Sequence, residues 1–390
     1  MNICSPPLAG TRVLELGSTV AAPAAGRLLA DFGAEVIKVE PPEGDHLRTW
    51  GPLAPDGVSW WFKSHNRGKK FVCFDLRVPE HARAVRELAL QCDVVLENFR
   101  PGRLEEWGLG YEDLRNARPD LIVVSISGYG QTGPYAKRPG FGHIAESMSG
   151  VRYVTGFPDR PPVRVGLSIG DEVAGLYAVI GTLLALRARA AGHGGDHVDV
   201  SLMESMFSLT EGLLPDYIHA DRITERAGNR YLRAAPSNTY RTQDGKYLSI
   251  AANSQSIFAR LCDVMGRHAL AQDARFATNQ ARQRHAEELD EIIQAWVGGL
   301  KMDEALTLLT KAQVPAGQVY SIADIVVDPH YRARGVLATV RTETGQEIAT
   351  PGLVPRLKRH PGRLSTAAMP VGYHQKEVLA SFGLSLPECR

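Results

Sequence analysis

The sequence lacks the paired cysteines of a disulfide-stabilised or zinc-binding protein. Its five cysteines are scattered, odd in number and without a Cys-x-x-Cys pair: Cys4, Cys73, Cys92, Cys262 and Cys389. Such spacing argues against a disulfide framework and against a zinc cluster. We therefore expect a protein of the reducing cytoplasm with no bound metal.

The sequence also has almost no net charge, and we expect neither a targeting segment nor a membrane-spanning run. Forty-four basic and forty-three acidic side chains leave a formal charge of +1, so no overall field recruits nucleic acid or an anionic membrane. Residues 1–10 lack a basic start followed by an apolar core, and no apolar run approaches the roughly 18 residues that span a bilayer. With 390 residues, 44% of them hydrophobic, the chain can form two domains.

A third absence is the glycine-rich fingerprint of dinucleotide-binding domains. Apolar strands and amphipathic helices alternate in the first part of the chain, which is the pattern of βαβ units in a parallel sheet. The predicted strands are 12–16, 35–39, 71–76, 93–99 and 121–126, and the predicted helices are 23–32, 79–91 and 111–118. The loop after the first strand, Gly17-Ser18-Thr19-Val20, has one glycine where the fingerprint needs three. The pattern predicts a Rossmann-like α/β domain and disfavours a bound NAD or FAD.

Asp171 stands directly before a long apolar segment, 172–186, which we predict to be a helix buried against the sheet. Aspartate is among the commonest N-cap residues, so a capping role is the simpler interpretation. The helix dipole at this position also favours the ionised carboxylate, which can attack a thioester. The residues alone leave both roles open.

The neighbouring residues Gly166-Leu167-Ser168-Ile169-Gly170 match G-x-S-x-G, the nucleophile elbow of α/β-hydrolases. The elbow needs a buried strand just before it. The preceding residues, 156–162, contain three prolines and cannot form such a strand. A serine hydrolase is therefore disfavoured.

The rest of the chain predicts a smaller α+β domain. A strand at 197–202 and a helix at 203–214 lead into an irregular, basic segment, and a hairpin follows at 238–242 and 247–251. Further helices are predicted at 256–265, 286–297, 302–312 and 374–382, and a strand at 336–341. We expect a large domain that begins with 1–205, a connector at 206–237, a small domain at 238–321, and a return connector plus the end of the large domain at 322–390.

Four motifs, in their order and spacing, resemble those of the class III CoA-transferases, the family of formyl-CoA and carnitine CoA-transferases. They are AEVIKVEP at 34–41, NRGKK at 66–70, DVVLENFRPG at 93–102, and the Gly-Asp pair at 170–171 before the small-residue helix. The similarity covers essentially the whole chain. It implies a Rossmann-like large domain built from both chain ends, a smaller α+β domain, and a homodimer of two interlocked subunits.

The resemblance implies that Asp171 is a covalent nucleophile. CoA would pass from an acyl-CoA donor to a carboxylic acid through aspartyl anhydride and aspartyl-CoA thioester intermediates. CoA and acyl-CoA would be substrates, and no cofactor would be tightly bound. Two alternatives stay open: an acyl-CoA racemase of the same fold, and a non-catalytic CoA-binding protein.

CoA carries phosphates that need local cations or free N–H groups. Candidate CoA-binding residues lie at strand ends or early in loops of the first domain: Lys38, Arg67, Lys69, Lys70, Asn98, Phe99, Arg100 and Arg103. Asn98 and Phe99 match the family motif, and an amide and a ring suit adenine. The chain departs from the family at Glu106, where a basic residue is common, and at 251–254, where formyl-CoA transferase has consecutive glycines. A formyl or oxalyl specificity is therefore not expected.

Candidate substrate-binding residues are Ser18, Val20, His143, Arg48, Arg164, Arg230 and Arg233. An arginine can grip a second carboxylate through two parallel hydrogen bonds, which favours a small dicarboxylic acceptor and succinyl-CoA as donor. His143 stands two positions away from the catalytic histidine of the racemases. We expect it to orient the substrate or to serve a structural role.

Overall fold

The structure, a computed structural model, describes residues 5–384 and contains two compact units. Within the described residues, the first unit comprises 5–151, 165–215 and 330–384, and the second comprises 152–164 and 216–329. The segment 152–164 thus belongs to the second unit, although the sequence analysis placed it in the large domain. Cys73, Cys92 and Cys262 are buried free thiols, while Cys4 and Cys389 lie outside the described residues.

A six-stranded parallel sheet forms the centre of the first unit. Its strands are β1 (Arg12–Glu15), β2 (Glu35–Glu40), β3 (Lys69–Cys73), β4 (Val94–Glu97), β5 (Ile122–Ser127) and β6 (His197–Ser201), in the order β3-β2-β1-β4-β5-β6. Neighbouring residues such as Val13 and Leu14 enter separate apolar clusters, because side chains alternate between the two faces of a strand. The predicted mixed α/β fold with a parallel sheet is confirmed.

Eight helices of the first unit precede or follow these strands. They are α1 (Ala21–Asp31), α2 (Trp60–His65), α3 (Pro79–Leu90), α4 (Arg103–Glu106), α5 (Tyr111–Ala117), α6 (Gly142–Met148), α7 (Ile169–Ala190) and α8 (Leu202–Phe207), with a 3-10 turn at His46–Thr49. The strand order reverses between β1 and β4. Ligands of open α/β sheets bind beside the carboxyl ends of the strands at such a point.

Helix α7 buries its small residues and exposes its large ones. Gly175 approaches α1 so closely that a β-carbon there would lie 3.0 Å from the carbonyl oxygen of Ala21. The exposed side chains are large and apolar: Leu176, Tyr177, Ile180, Leu183 and Leu184. The prediction of a buried helix therefore holds for one face of α7 only, since these five side chains are 38 to 65% exposed within residues 5–384.

By length and composition alone, α7 is also apolar enough to cross a membrane, with a third of its most apolar stretch buried inside the protein. The expectation that no apolar run reaches that length was therefore wrong. The core helix of a soluble protein passes the same test, so the finding is weak evidence for a membrane span.

The second unit contains a three-stranded antiparallel sheet and several helices. Helix α9 (Leu213–Ala220) leads into it, followed by β7 (Ser237–Arg241), β8 (Tyr247–Ala251), α10 (Gln255–Val264), a 3-10 turn (His268–Ala271), α11 (Asn279–Arg284), α12 (Ala286–Val297), α13 (Met302–Lys311), β9 (Ala316–Gln318) and α14 (Ile322–Val327). The sheet order is β7-β8-β9. The predicted hairpin is present as β7 and β8.

The chain then returns to the first unit. This part contains α15 (Pro329–Ala333), the antiparallel pair β10 (Leu337–Arg341) and β11 (Glu347–Pro351), and α16 (Gln375–Ser381). Val378 and Leu379 of α16 enter the apolar cluster on one face of the large sheet. The first unit therefore contains residues from both the first and the last part of the chain.

Candidate active site

The loops after β1 and β4 meet where the strand order reverses. The backbone N–H of Ser18 donates to Oδ1 of Asn98 at 2.9 Å, and Nδ2 of Asn98 donates to the carbonyl oxygen of Ser18 at 2.9 Å. The side-chain amide of Asn98, which was predicted to contact adenine, therefore makes both of these hydrogen bonds to the backbone of Ser18. Asn98 joins the two loops.

Two of the predicted CoA-binding cations are buried below these loops. Nζ of Lys38 lies 3.1 Å from Oε1 of Glu15 and 3.0 Å from Oδ2 of Asp45, and Nζ of Lys69 lies 2.7 Å from Oε2 of Glu15. Burial alone would lower the pKa of Lys38, but the carboxylates of Asp45 and Glu15 raise it above its ordinary value. Burial lowers the pKa of Lys69 to about 8, against the opposing effect of Glu15. Both ammonium groups are paired with buried carboxylates of the protein and do not face CoA.

Two predicted arginines are buried in the same way. Arg67 donates to both carboxylate oxygens of Asp31 at 2.9 and 2.6 Å. Arg48 donates to both oxygens of Glu40 at 2.7 and 2.9 Å. The structure therefore corrects both assignments: the guanidinium of Arg67 is 1% exposed and does not face CoA, and that of Arg48 is already neutralised by a carboxylate of the protein.

Three other predicted arginines lie in the second unit. Arg230 pairs with Glu287 at 3.1 Å and Arg233 with Asp216 at 2.7 Å. Arg164 is exposed.

Three predicted CoA-binding cations remain at the surface of the first unit. Arg100 and Arg103 are exposed on the loop after β4 and on the short helix α4. Lys70 is partly exposed and pairs with Glu35 at 2.8 Å and with Glu377 at 2.7 Å. Of the three, Arg100 and Arg103 lie at the carboxyl end of the sheet.

An aromatic pair lies beside Arg103. The rings of Phe99 and Trp107 meet edge to face with centroids 5.1 Å apart, and the guanidinium of Arg103 lies 4.9 Å from the Trp107 ring. Glu106, the departure from the family pattern, forms an ion pair with Arg103. Trp107 and Glu106 also line a pocket of about 480 Å³, together with three arginines that the sequence analysis missed: Arg77, Arg83 and Arg86.

Phe99 is also held by the last residue of β4. Its backbone N–H donates to Oε2 of Glu97 at 2.6 Å. Burial raises the pKa of Glu97 to about 7, although hydrogen bonds from Ser125 and Phe99 oppose the change. A buried titratable carboxyl therefore supports the loop that carries the aromatic pair.

Asp171 is the third residue of α7 and not its N-cap. The helix begins at Ile169, and the N-cap is Ser168, whose side chain makes no capping hydrogen bond. Asp171 is partly exposed as a residue and lies in the first helical turn, where the dipole favours negative charge. The prediction that the helix dipole favours the ionised carboxylate of Asp171 is unaffected, because the residue still lies in the first turn of α7.

The Asp171 carboxylate rests against Gly142, the first residue of α6. A β-carbon at position 142 would lie 2.3 Å from Oδ2 and 2.8 Å from Cγ of Asp171. Any other side chain at 142 would therefore displace the carboxylate. The sequence analysis missed Gly142 because two segments distant in the sequence make this contact. His143 follows it and is exposed.

A buried histidine holds the start of α1. Nε2 of His65 lies 3.1 Å from the carbonyl oxygen of Val20, and because a carbonyl only accepts, the ring donates from Nε2. Burial, together with the nearby charge of Arg27, lowers the pKa of His65 to about 3. His65 is therefore a neutral anchor for Val20, and no sequence pattern pointed to it.

Two further properties bear on the chemistry of this unit. Among residues 5–384, no group of three His, Cys, Asp or Glu side chains is placed to hold a metal ion. Ser168, the serine of the G-x-S-x-G match, follows an irregular segment and not a strand. A nucleophile elbow requires that strand.

Comparison with known proteins identifies the family. Residues 8–375 match the model of CoA-transferase family III. The chain is 46% identical to the succinyl-CoA–D-citramalate CoA-transferase of Chloroflexus aurantiacus, covering 95% of this chain and 93% of the relative. It is 37% identical to the succinate–glutarate CoA-transferase of Agrobacterium fabrum, covering 96% and 95%.

A solved structure agrees with this result. The crystal structure of a CAIB/BAIF family protein from Brucella suis is 36% identical and has a TM-score of 0.86, covering 97% of this chain and 100% of that one. The chain therefore belongs to CoA-transferase family III. It is a CoA-transferase, an enzyme whose substrates are CoA thioesters.

Proposed function

We propose that this enzyme transfers CoA from succinyl-CoA to a small dicarboxylic acid, with Asp171 as the covalent nucleophile. The names of relatives at 46% and 37% identity support the class of donor and acceptor, since they act on citramalate and on glutarate. The observation that carries the proposal is the carboxylate of the partly exposed residue Asp171 in the first turn of α7, set against Gly142.

In the first half of the reaction, an Asp171 oxygen attacks the thioester carbonyl carbon of the donor. The C–S bond breaks, CoA leaves as its thiolate, and a mixed aspartyl anhydride forms. The thiolate then attacks the aspartyl carbonyl carbon. The donor acid leaves as a carboxylate, and Asp171 is left as a CoA thioester.

The second half repeats these steps in reverse order with the acceptor. A carboxylate oxygen of the acceptor attacks the aspartyl thioester and releases CoA thiolate, so that a second anhydride forms. The thiolate attacks the acceptor carbonyl carbon, which yields the new acyl-CoA and the free carboxylate of Asp171. Atoms and charges balance without a co-reactant, and no base is needed because the nucleophile is already ionised.

We place the nucleotide part of CoA at the pocket that Trp107 lines. Its volume of about 480 Å³ suits a base, and an aromatic ring offers a stacking surface. Arg83 and Arg86 on α3, with Arg100 and Arg103 nearby on the chain, supply guanidinium groups that bind phosphate through paired hydrogen bonds. Lys38, Arg67 and Lys69 take no part in this proposal because their charges are neutralised inside the fold.

We also propose that a second copy of the chain covers the exposed face of α7. Large apolar patches on a soluble protein are typical of protein–protein interfaces. The side chains of Ile180 and Leu184 are 50% and 65% exposed. A homodimer would bury them.

Incubation of the purified enzyme with a panel of acyl-CoA donors and free acids tests the reaction. We expect CoA transfer from succinyl-CoA to dicarboxylic acids, and borohydride or hydroxylamine trapping of an adduct on Asp171 detected by mass spectrometry. Transfer to monocarboxylic acids alone would contradict the dicarboxylate assignment.

The same panel separates the two alternatives. A racemase would exchange the α-proton of its acyl-CoA with solvent deuterium and would need no acceptor acid. A non-catalytic binding protein would retain CoA but leave Asp171 unmodified with every donor. Either result would overturn the proposed reaction.

A further inference from the structure

Helix α6 presents two residues, one turn apart, to the first turn of α7. Residues four positions apart lie on the same face of a helix, and Gly142 and Glu146 have this spacing. Gly142 lies against the carboxylate of Asp171. Glu146 accepts a hydrogen bond at Oε1 from the backbone N–H of Gly170, at 3.4 Å.

The contact with Glu146 gives the start of α7 a hydrogen-bond acceptor that its N-cap side chain does not supply. The first N–H groups of a helix have no partner within the helix and are usually satisfied by the N-cap side chain. Here the N-cap, Ser168, makes no such bond. The Glu146 carboxylate, 3% exposed, reaches Gly170 from another helix instead.

The two helices also touch through backbone. A β-carbon at position 170 would lie 3.1 Å from the carbonyl oxygen and 3.3 Å from the Cα of Gly142. The start of α7 therefore has little freedom to move relative to α6. Asp171 follows Gly170 directly and shares that constraint.

We infer that α6 is the positioning element of the nucleophile. Gly142 sets the location of the Asp171 carboxylate through its missing side chain, and Glu146 fixes the backbone before it through Gly170. Both are positioning residues, since each acts on Asp171 and neither reacts. The inference rests on the proposed role of Asp171, and it assigns to α6 the geometry on which that role depends.

Gly142→Ala tests the first half of the inference. The added methyl group pushes the carboxylate away, and a displacement of about 1 Å can cost roughly 10²-fold in rate. We expect kcat and the rate of adduct formation on Asp171 to fall by about that factor, with KM for the acyl-CoA little changed. Gly166→Ala is the matched control, because a β-carbon at 166 meets nothing within 4 Å.

Glu146→Leu and Glu146→Gln test the second half. Leucine removes the acceptor for the Gly170 N–H and is expected to lower kcat at least about tenfold, since positioning contributes strongly to such reactions. Glutamine keeps an oxygen at this place and is expected to restore most of the rate. Thermal unfolding of each variant identifies any loss of rate that comes from loss of fold, and a folded Gly142→Ala protein remains informative by itself.

The outcomes separate this inference from the proposed function. If the wild-type enzyme forms no adduct on Asp171, the proposed function fails and the inference fails with it. If the wild type forms the adduct, and folded Gly142→Ala and Glu146→Leu proteins form it at the wild-type rate, only the inference is overturned. A fall in kcat for both, with Glu146→Gln and Gly166→Ala close to wild type, supports it.

Discussion

At the scale of single residues, the charged groups divide into those that hold the fold and those that face solvent. Lys38 and Lys69 share the carboxylate of Glu15, and all three side chains are buried. A buried charge that loses its partner leaves an uncompensated ion in a medium of low dielectric constant. These residues therefore govern stability.

Glu15→Gln should lower the free energy of unfolding by about 3–5 kcal/mol, the usual cost of removing one partner of a buried ion pair. Urea or thermal unfolding measures it. Glu43→Gln is the control, because Glu43 pairs with Arg77 at the surface, where both side chains are more than half exposed. An equal loss for both variants would contradict the structural role of Glu15.

Asp171→Asn should abolish CoA transfer and leave the fold intact. The amide has the shape of the carboxylate but is a poor nucleophile, and the charge lost from the first turn of α7 is worth only about 0.3–1 kcal/mol. A transfer assay and a thermal melt measure the two effects. If Asp171→Asn retained CoA transfer, the assignment of Asp171 as the nucleophile would be wrong.

The sequence offered a candidate nucleophile but did not reveal the partners of the cations. A Gly-Asp pair before a small-residue helix is a local pattern, so Asp171 could be proposed from the sequence, and its role stays a prediction. Whether Lys38 or Arg67 faces a ligand depends on where Glu15 and Asp31 lie after folding. Those positions depend on the tertiary structure, as does the contact between Gly142 and Asp171.

At the scale of elements, β4 and the loop after it connect the sheet to the aromatic pair. Glu97 lies opposite Ser125 in the parallel ladder of β4 and β5, and it accepts the hydrogen bond from Phe99. The carboxyl is 3% exposed. Its titration is therefore linked to folding.

The free energy of unfolding should fall as pH rises from about 4.5 to about 7 through this group. The pKa of Glu97 is raised to about 7 in the folded protein against an ordinary value of 4.5, so the folded state binds more protons in that interval and stability decreases with pH. The free energy of unfolding, measured between these two pH values for the wild type and for Glu97→Gln, gives the contribution of Glu97. An unchanged pH slope in Glu97→Gln would refute it.

Strands were easier to predict than short helices. Runs of Val, Ile and Leu between turn residues indicated β1, β2, β4 and β5 within a few residues, because buried parallel strands are continuously apolar. Helix α6 was missed, since a seven-residue helix that begins with glycine has no distinct periodicity. Helix α7 was predicted too short, because Gly170 and Asp171 are weak helix formers that join it only in the fold.

At the scale of the whole molecule, the exposed face of α7 is the surface on which the proposed homodimer depends. Its buried residues are small, among them Ala174, Gly175 and Ala178, and its large apolar residues lie outside. The subunit interface that we propose would account for this arrangement.

Ile180→Lys combined with Leu184→Lys should convert a dimer into monomers, because two charges would have to be buried in an apolar interface. Analytical ultracentrifugation over a range of concentrations measures the change. Val354→Lys is the control, because Val354 is 69% exposed and lies on a different segment of the same unit. A monomeric wild type, or a double variant that dimerises normally, would contradict the proposed interface.

The exposed leucine, isoleucine and tyrosine side chains of α7 also affect how the purified protein refolds. In a monomer this apolar face is open to solvent, and such a patch favours aggregation. If the proposed homodimer forms, slow association after refolding leaves the face exposed for longer, so additives that bind apolar surfaces should improve the yield.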